Sequence, residues 1–282
     1  MMEFLRLCSG RALRQRSGQA LRLYFKFLGI AIRSRLEYRS DFLVGTVGII
    51  ILNAANLSLT WVMVSRFRVL AGWQFWEIVM LYGTWLLSHS VYAVFFWHLT
   101  TLEDDILHGR FDQYLVRPCS VLLQFLGREV NYMGAGDVVF ATAAFSLAYR
   151  NLGLDWAAGQ WAFFVVAVLS GTVIETCIAW IIGTLSFWTG RSRSVFWLSM
   201  NFNMLNQNYP IDVFGRGFRI FVTGFLPVAF MNYYPLTQLL GKPNALGIAG
   251  LGFLSPVVAS ILLMLGSLVW RKGLAGYSSS GS

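Results

Sequence analysis

Charge is what this chain has least of. Asp, Glu, Lys and Arg make up 12% of its 282 residues, about half of what an average soluble domain carries. Hydrophobic residues reach 56% and the mean hydropathy is +0.59. A soluble globular domain is excluded, and an integral membrane protein with several spans is implied. Cysteine is also sparse. Cys8, Cys119 and Cys177 stand far apart, with neither metal-ligand spacing nor a paired framework, and read as free thiols facing the cytosol or the bilayer. Motifs that carry chemistry are missing too. No zinc-type His/Glu helix, no Gly-x-Ser-x-Gly elbow and no Asp-rich phosphotransferase pattern occurs, which argues against a lipid-modifying enzyme. A phosphate loop needs G-x-x-x-x-G-K-[ST] so that backbone amides cradle the phosphates. The one Gly-Lys pair, Gly241-Lys242, runs into Pro243 instead. ATP hydrolysis by this chain is therefore not expected. Nor is a cleavable signal peptide, because the N-terminal segment is long and basic before the first apolar run.

What is present is a series of apolar runs. A helical span takes ~20 mostly apolar residues, and six segments are predicted to qualify: 42–64, 78–96, 132–149, 161–183, 194–208 and 246–270. Lys and Arg concentrate on the cytosolic side of membrane proteins. With the N-terminus inside, sixteen of the 22 Lys and Arg fall in the N-terminal segment, the two inner loops and the C-terminus. Arg66, Arg68, Arg150, Arg216, Arg219 and Lys242 fall outside. That bias puts both termini in the cytosol, and it accounts for the net charge of +9 without nucleic acid. Tryptophans agree: Trp61, Trp73, Trp76, Trp97, Trp156, Trp161, Trp188, Trp197 and Trp270 lie near span ends, where indoles settle, and Trp85 and Trp180 sit mid-span. Before the first span, Leu21, Phe25, Leu28, Ile32 and Leu36 repeat at helical spacing with Arg22, Lys26, Arg33 and Arg35 largely off that stripe. This predicts an amphipathic helix from Leu21 to Arg39 lying on the inner leaflet. Between the fifth and sixth runs the chain stays apolar but is broken by Gly and by Pro210, Pro227, Pro235 and Pro243. Irregular backbone at membrane depth needs protein or a wet cavity beside it, so short re-entrant or interfacial helices on the outer face are expected.

Ionisable groups inside the runs are suspects for function, since a charge at the bilayer centre costs ~2.5–3.5 kcal/mol on insertion scales. Glu175 lies well inside the fourth run; it would pair with another helix, bind a cationic substrate or stay protonated. Asp137, near the start of the third, reads as structural, and His89 as a satisfied bundle residue. Asn53, Asn56 and Ser58, with Gly45 and Gly48, suggest close helix packing in the first run.

The stretch "EDDILHGRFDQYLVRP", Glu103 to Pro118, is the exception to the scarcity of acids. Thr100 or Thr101 is placed to cap a short helix with Glu103, Asp104 and Asp105 in its first turn, favourable to the helix dipole, and Gly109 to stop it. A short helix with acidic and apolar faces in the longest inner loop, 97–130, suits docking of a cytosolic protein; a solvated hairpin is the plainer reading. Four patterns then carry a family resemblance: "DILHGRFDQYLVRPCSVLLQ" from Asp105, "SFWTGRS" from Ser186, the "YPIDVFGRGFRIFVTGFLPVAFMNYYPLTQLLGKP" segment from Tyr209, and the ending "WRKGLAGYSSSGS". In their order and spacing the chain resembles the permease subunits of ABC-2 type exporters, the branch with six spans and no fused ATPase.

The resemblance implies an all-α membrane protein with a cytosolic N-terminus, 1–41, and an ABC-2 transmembrane domain, 42–282. It implies a multi-pass protein of the bacterial inner membrane. Partners would be two copies of a cytosolic ABC ATPase, which bind ATP and Mg, and a second permease, identical or different; this chain would hold no cofactor itself. The 97–130 loop would supply the coupling helix, with Glu103, Asp104, Asp105, Ile106, Leu107, His108 and Arg110 as contact residues, and Leu21–Arg39 would be the connecting helix. Related exporters line a central cavity with the second and fifth spans, which makes Ser88, His89, Tyr92, Asn201, Phe202 and Asn203 pathway candidates beside Glu175. The rival is a proton-coupled secondary transporter relaying through Glu175 and His89, although no inverted repeat is evident.

Overall fold

The first long helix, α1 (Arg39–Phe67), is apolar on all sides rather than along one stripe. Such a helix needs hydrocarbon around it. Leu43, Val44, Val47, Ile51 and Leu52 are all more than half exposed, and only 6% of its span is buried against the rest of the chain. The second, α2 (Phe75–Phe95), is the opposite case, with 78% of its span buried. It begins three residues before the predicted start because Glu77 closes a capping box, its carboxylate accepting the Gln74 N–H at 2.7 Å.

The computed structural model describes Gly29 and residues 39–67, 70–117, 120–131 and 134–277. Most of the expected interfacial helix Leu21–Arg39, with Cys8, Pro118 and Cys119, lies outside the described residues. Short helices follow α2: α3 (Leu102–Leu107), α4 (Asp112–Leu115) and α5 (Val121–Leu126). Then come α6 (Gly134–Asn151), α7 (Ala158–Thr184), α8 (Ser186–Thr189), α9 (Arg193–Asn208), α10 (Arg216–Ile220), α11 (Tyr233–Leu239) and α12 (Ser255–Gly276). No named strand occurs among the described residues. Helices occupy all six predicted positions. Four of them, α1, α2, α7 and α12, are long and apolar enough to cross a membrane. The other two are shorter: the 16 residues of α9 rise about 24 Å, against a hydrocarbon core of ~30 Å.

Packing centres on α2, which lies against α6 and α7; α1 covers α6, and α12 covers α7. Small residues set the distances. A Cβ on Gly83 would stand 3.0 Å from the Phe145 backbone nitrogen, and one on Gly136 would stand 2.8 Å from the Thr46 carbonyl of α1. The close approach of α1 is thus made by Gly136 on its neighbour and not by Gly48, which has nothing within 4 Å. Of the three polar residues expected to pack α1, Asn53 does so. It donates to Asp137 at 2.7 Å and accepts from the Tyr82 hydroxyl at 2.6 Å, tying α1, α6 and α2 together, while Asn56 and Ser58 are exposed.

The broken apolar region between α9 and α12 is a run of short turns, including a π-helical turn at Phe221–Phe225. Much of it is core: Val228, Ala229, Met231, Tyr233, Tyr234 and Leu236 are at most 1% exposed. From Leu226 to Leu236 the irregular backbone is sheltered by protein, as the loss of helical hydrogen bonds demands. Asn206 donates to Asn232 at 2.7 Å, and the Arg219 guanidinium donates to the Phe214, Asp212 and Ala245 carbonyls. The last long helix starts at Ser255, nine residues later than predicted. Gly247 and Gly250 hold positive φ of 69° and 79°, the Asn244 side-chain Oδ1 accepts from the Leu246 and Ile248 amides, and Pro256 sits in the first helical turn. These are turn and helix-start signals, and they outweigh the apolar composition of 246–254.

Candidate functional site

The acidic loop is tightly built. A 3-10 turn, Trp97–Thr101, leads straight into α3. Thr101 is the residue before the helix but its hydroxyl does not cap it; the oxygen donates to the His98 carbonyl at 2.8 Å and accepts from Arg128 Nη2 at 2.6 Å. Gly109 ends the helix with φ of +65°, as its position predicts. The three acids of the first turn take different roles. Glu103 is 8% exposed, and its Oε2 accepts the backbone N–H groups of Ser192 and Arg193, each at 2.5 Å. Those are orphan donors at the N-terminus of α9, so an acid of one loop caps the helix that follows another. Asp105 is 3% exposed and accepts from Arg110 Nε at 3.0 Å and from Arg128 Nη1. Asp104 stands at the edge, 3.3 Å from Arg193 Nη2. The Tyr277 hydroxyl donates to Asp112 at 2.9 Å, fastening the end of α12 to the loop; burial and the Asp112 charge push that phenol up to about 12. Burial, with the Arg128 charge beside it, pushes the His98 imidazole down to about 3.

Of the seven residues expected to meet a partner, Glu103, Asp105 and Ile106 face inward, because their bonds and contacts hold the loop together. Leu107, His108 and Arg110 are exposed and Asp104 is half-buried. Leu115 (45% exposed) and Val116 (82%) add apolar surface nearby; the sequence reading did not single them out.

A second cluster lies inside the helix bundle. His89 Nδ1 is 2.8 Å from Glu175 Oε1, which also accepts from Asn203 Nδ2 at 3.1 Å. Asn203 Oδ1 in turn accepts from Trp85 Nε1 at 2.7 Å, and the Trp85 and His89 rings stack at 4.6 Å. Helices α2, α7 and α9 are therefore joined through one buried polar chain. Ser88 lies one residue away, donating to the Val168 carbonyl at 3.1 Å, with Gly171 packed against it. Of the seven pathway candidates, His89, Glu175 and Asn203 are bonded together, with Tyr92 packed beside His89 at 5.8 Å between ring centroids. Asn201 is exposed and Phe202 stacks away on Phe218 and Phe221, so neither joins the cluster. Trp85 is the member the sequence reading missed. Its signal was its mid-span position, since a buried indole N–H needs an acceptor.

Comparison with known proteins places these features in context. No curated protein and no solved structure matches this chain. A family model described as "ABC-2 family transporter protein" matches residues 50–281, from the first long helix through the acidic loop, the buried polar cluster and α12. With most of its length matched by that one model, this multi-pass chain belongs to the ABC-2 transporter family and is a permease component of an ABC transporter.

Proposed function

We propose that this chain is the transmembrane subunit of an ATP-driven exporter, with hydrolysis supplied by a separate ATPase pair that holds the ATP and Mg. It crosses the bacterial inner membrane six times, with α6 and α9 as the third and fifth crossings and both termini in the cytosol, and pairs with a second permease. The observation that carries this reading is the exposed patch on the acidic loop. Leu107, Leu115 and Val116 are large apolar side chains outside the long apolar helices, set on a loop held rigid by Asp105 and Arg128. Exposed apolar side chains on the same loop as the exposed His108 and Arg110 suit the groove of a soluble partner.

Movement of the loop has a built-in route to the bundle. Glu103 grips the N-terminus of α9, and α9 carries Asn203 into the Glu175 cluster. A push on α3 shifts the helix that lines the polar site, which is how an inward- to outward-facing change would follow ATP-driven closure. Leu107→Glu with Val116→Glu is expected to reduce co-purified ATPase at least tenfold while leaving the melting temperature of the permease within a few degrees. Undiminished ATPase recovery would contradict the docking assignment.

The paired His89 and Glu175 favour a second reading, a proton-coupled carrier. Efflux from vesicles that stops on adding a protonophore and ignores ATP would support it.

A further inference from the structure

The polar cluster leaves two buried groups without partners. Glu175 is 5% exposed and Tyr92 is fully buried, yet neither Glu175 Oε2 nor the Tyr92 hydroxyl has a hydrogen-bond partner. Both line one small cavity of about 20 Å³, together with Ser199, Met200 and Val228. Buried polar groups are nearly always satisfied, and an exception calls for a reason. A second, larger space adjoins the cavity, with two lining residues in common. A groove of about 290 Å³ between α7, α9, α12 and the π-helical turn is lined by Leu198, Phe202, Phe225, Leu226 and Leu262 among others. Ile178 and Ser199 line both spaces. Leu198 is 56% and Phe225 81% exposed, so the groove has an open flank.

We propose that these two spaces are one substrate site for a lipophilic primary amine, its ammonium head in the small cavity and its hydrocarbon tail in the groove. This rests on the permease reading above and names the substrate class. The chemistry matches group by group. A cavity that holds one water needs roughly 10–15 Å³, and a primary ammonium is about the size of a water, whereas a trimethylammonium is far larger. The ammonium has three N–H donors. Three of the lining residues carry an oxygen able to accept: Glu175 Oε2, the Tyr92 hydroxyl and Ser199 Oγ, whose own proton goes to the Phe196 carbonyl at 2.7 Å. His89 and Asn203 engage Oε1 and so leave Oε2 as the oxygen available to a ligand. An ammonium would bring the N–H donors that Glu175 Oε2 and the Tyr92 hydroxyl lack. The groove carries no charged side chain, so it accepts hydrocarbon and selects little else.

The test uses the full-length protein in lipid nanodiscs and radiolabelled decylamine, with protein-free nanodiscs subtracted. Saturable binding of one decylamine per chain is expected, with decyltrimethylammonium and decanol each at least tenfold weaker. Glu175→Gln keeps the bonds to His89 and Asn203 and is expected to weaken decylamine binding at least tenfold; Ser199→Ala and Tyr92→Phe about threefold each. If Glu175→Gln does not fold, the other two variants carry the test. Equal affinity for the trimethyl compound, unchanged affinity in the folded variants, or no saturable binding would overturn the proposal. ATPase co-purification is scored on the same preparations. A docked ATPase with no amine binding sinks the amine site alone, and amine binding with no ATPase sinks the exporter reading alone.

Discussion

Glu103 shows how a single side chain links distant parts of the molecule. Its carboxylate is the only acceptor described for the Ser192 and Arg193 amides. Glu103→Ala leaves those donors unpaired in a buried place, a loss of about 1–3 kcal/mol, visible as a lower melting temperature; an unchanged melting curve would refute the capping role. His98 makes a pH prediction. Its imidazole falls from 6.5 in the unfolded chain to about 3 in the folded one, so the native state holds it neutral. The stabilisation is full above pH 6.5 and declines by about 1.4 kcal/mol per pH unit below it, toward pH 3, because the unfolded chain takes up the proton first. A folded His98→Asn variant should lose much of this acid sensitivity between pH 6.5 and 4.5, and an identical pH profile would rule His98 out as its source. At this scale the sequence was least readable. Three acids in a row pointed to a helix start, but which of them face inward depends on Arg128, 23 residues after Asp105, and on an α9 terminus 89 residues beyond Glu103.

Among the elements, the long apolar helices were legible because length and composition alone define them. The late start of α12 was not, since 246–254 is apolar enough to be helix and is turned by Asn244, Gly247 and Gly250. The turns from Pro210 to Phe230 were expected to be irregular, and the Gly and Pro spacing said so; that the stretch from Leu226 onward forms core required the tertiary structure. Helix packing also had a hidden side. Gly136→Val should push α1 from α6 and destabilise by about 1–3 kcal/mol, because its Cβ would meet the Thr46 carbonyl. Gly48→Val, with open space around it, should change stability by less than about 0.5 kcal/mol. Equal effects of the two in a thermal or denaturant melt would show that α1 is not seated through Gly136.

Across the whole molecule, hydrogen bonds join the acidic loop to α9 through Glu103, and α9 to the buried cluster through Asn203 and Glu175. The candidate site was partly legible: a lone Glu deep in an apolar run is conspicuous, and His89 was noted beside it. Their pairing entered only through the rival relay reading, and the link to Asn203 and Trp85 was not legible, because a run of helices does not state which faces meet. The central claim is that this path is driven by an ATPase bound at the loop. The most direct measurement is native mass spectrometry of the tagged chain, purified from its own host in mild detergent. The account expects a complex of two permeases with two ATP-binding subunits, and the masses would identify the second permease as the same chain or another. Repeated recovery of the chain free of any ATPase would contradict it.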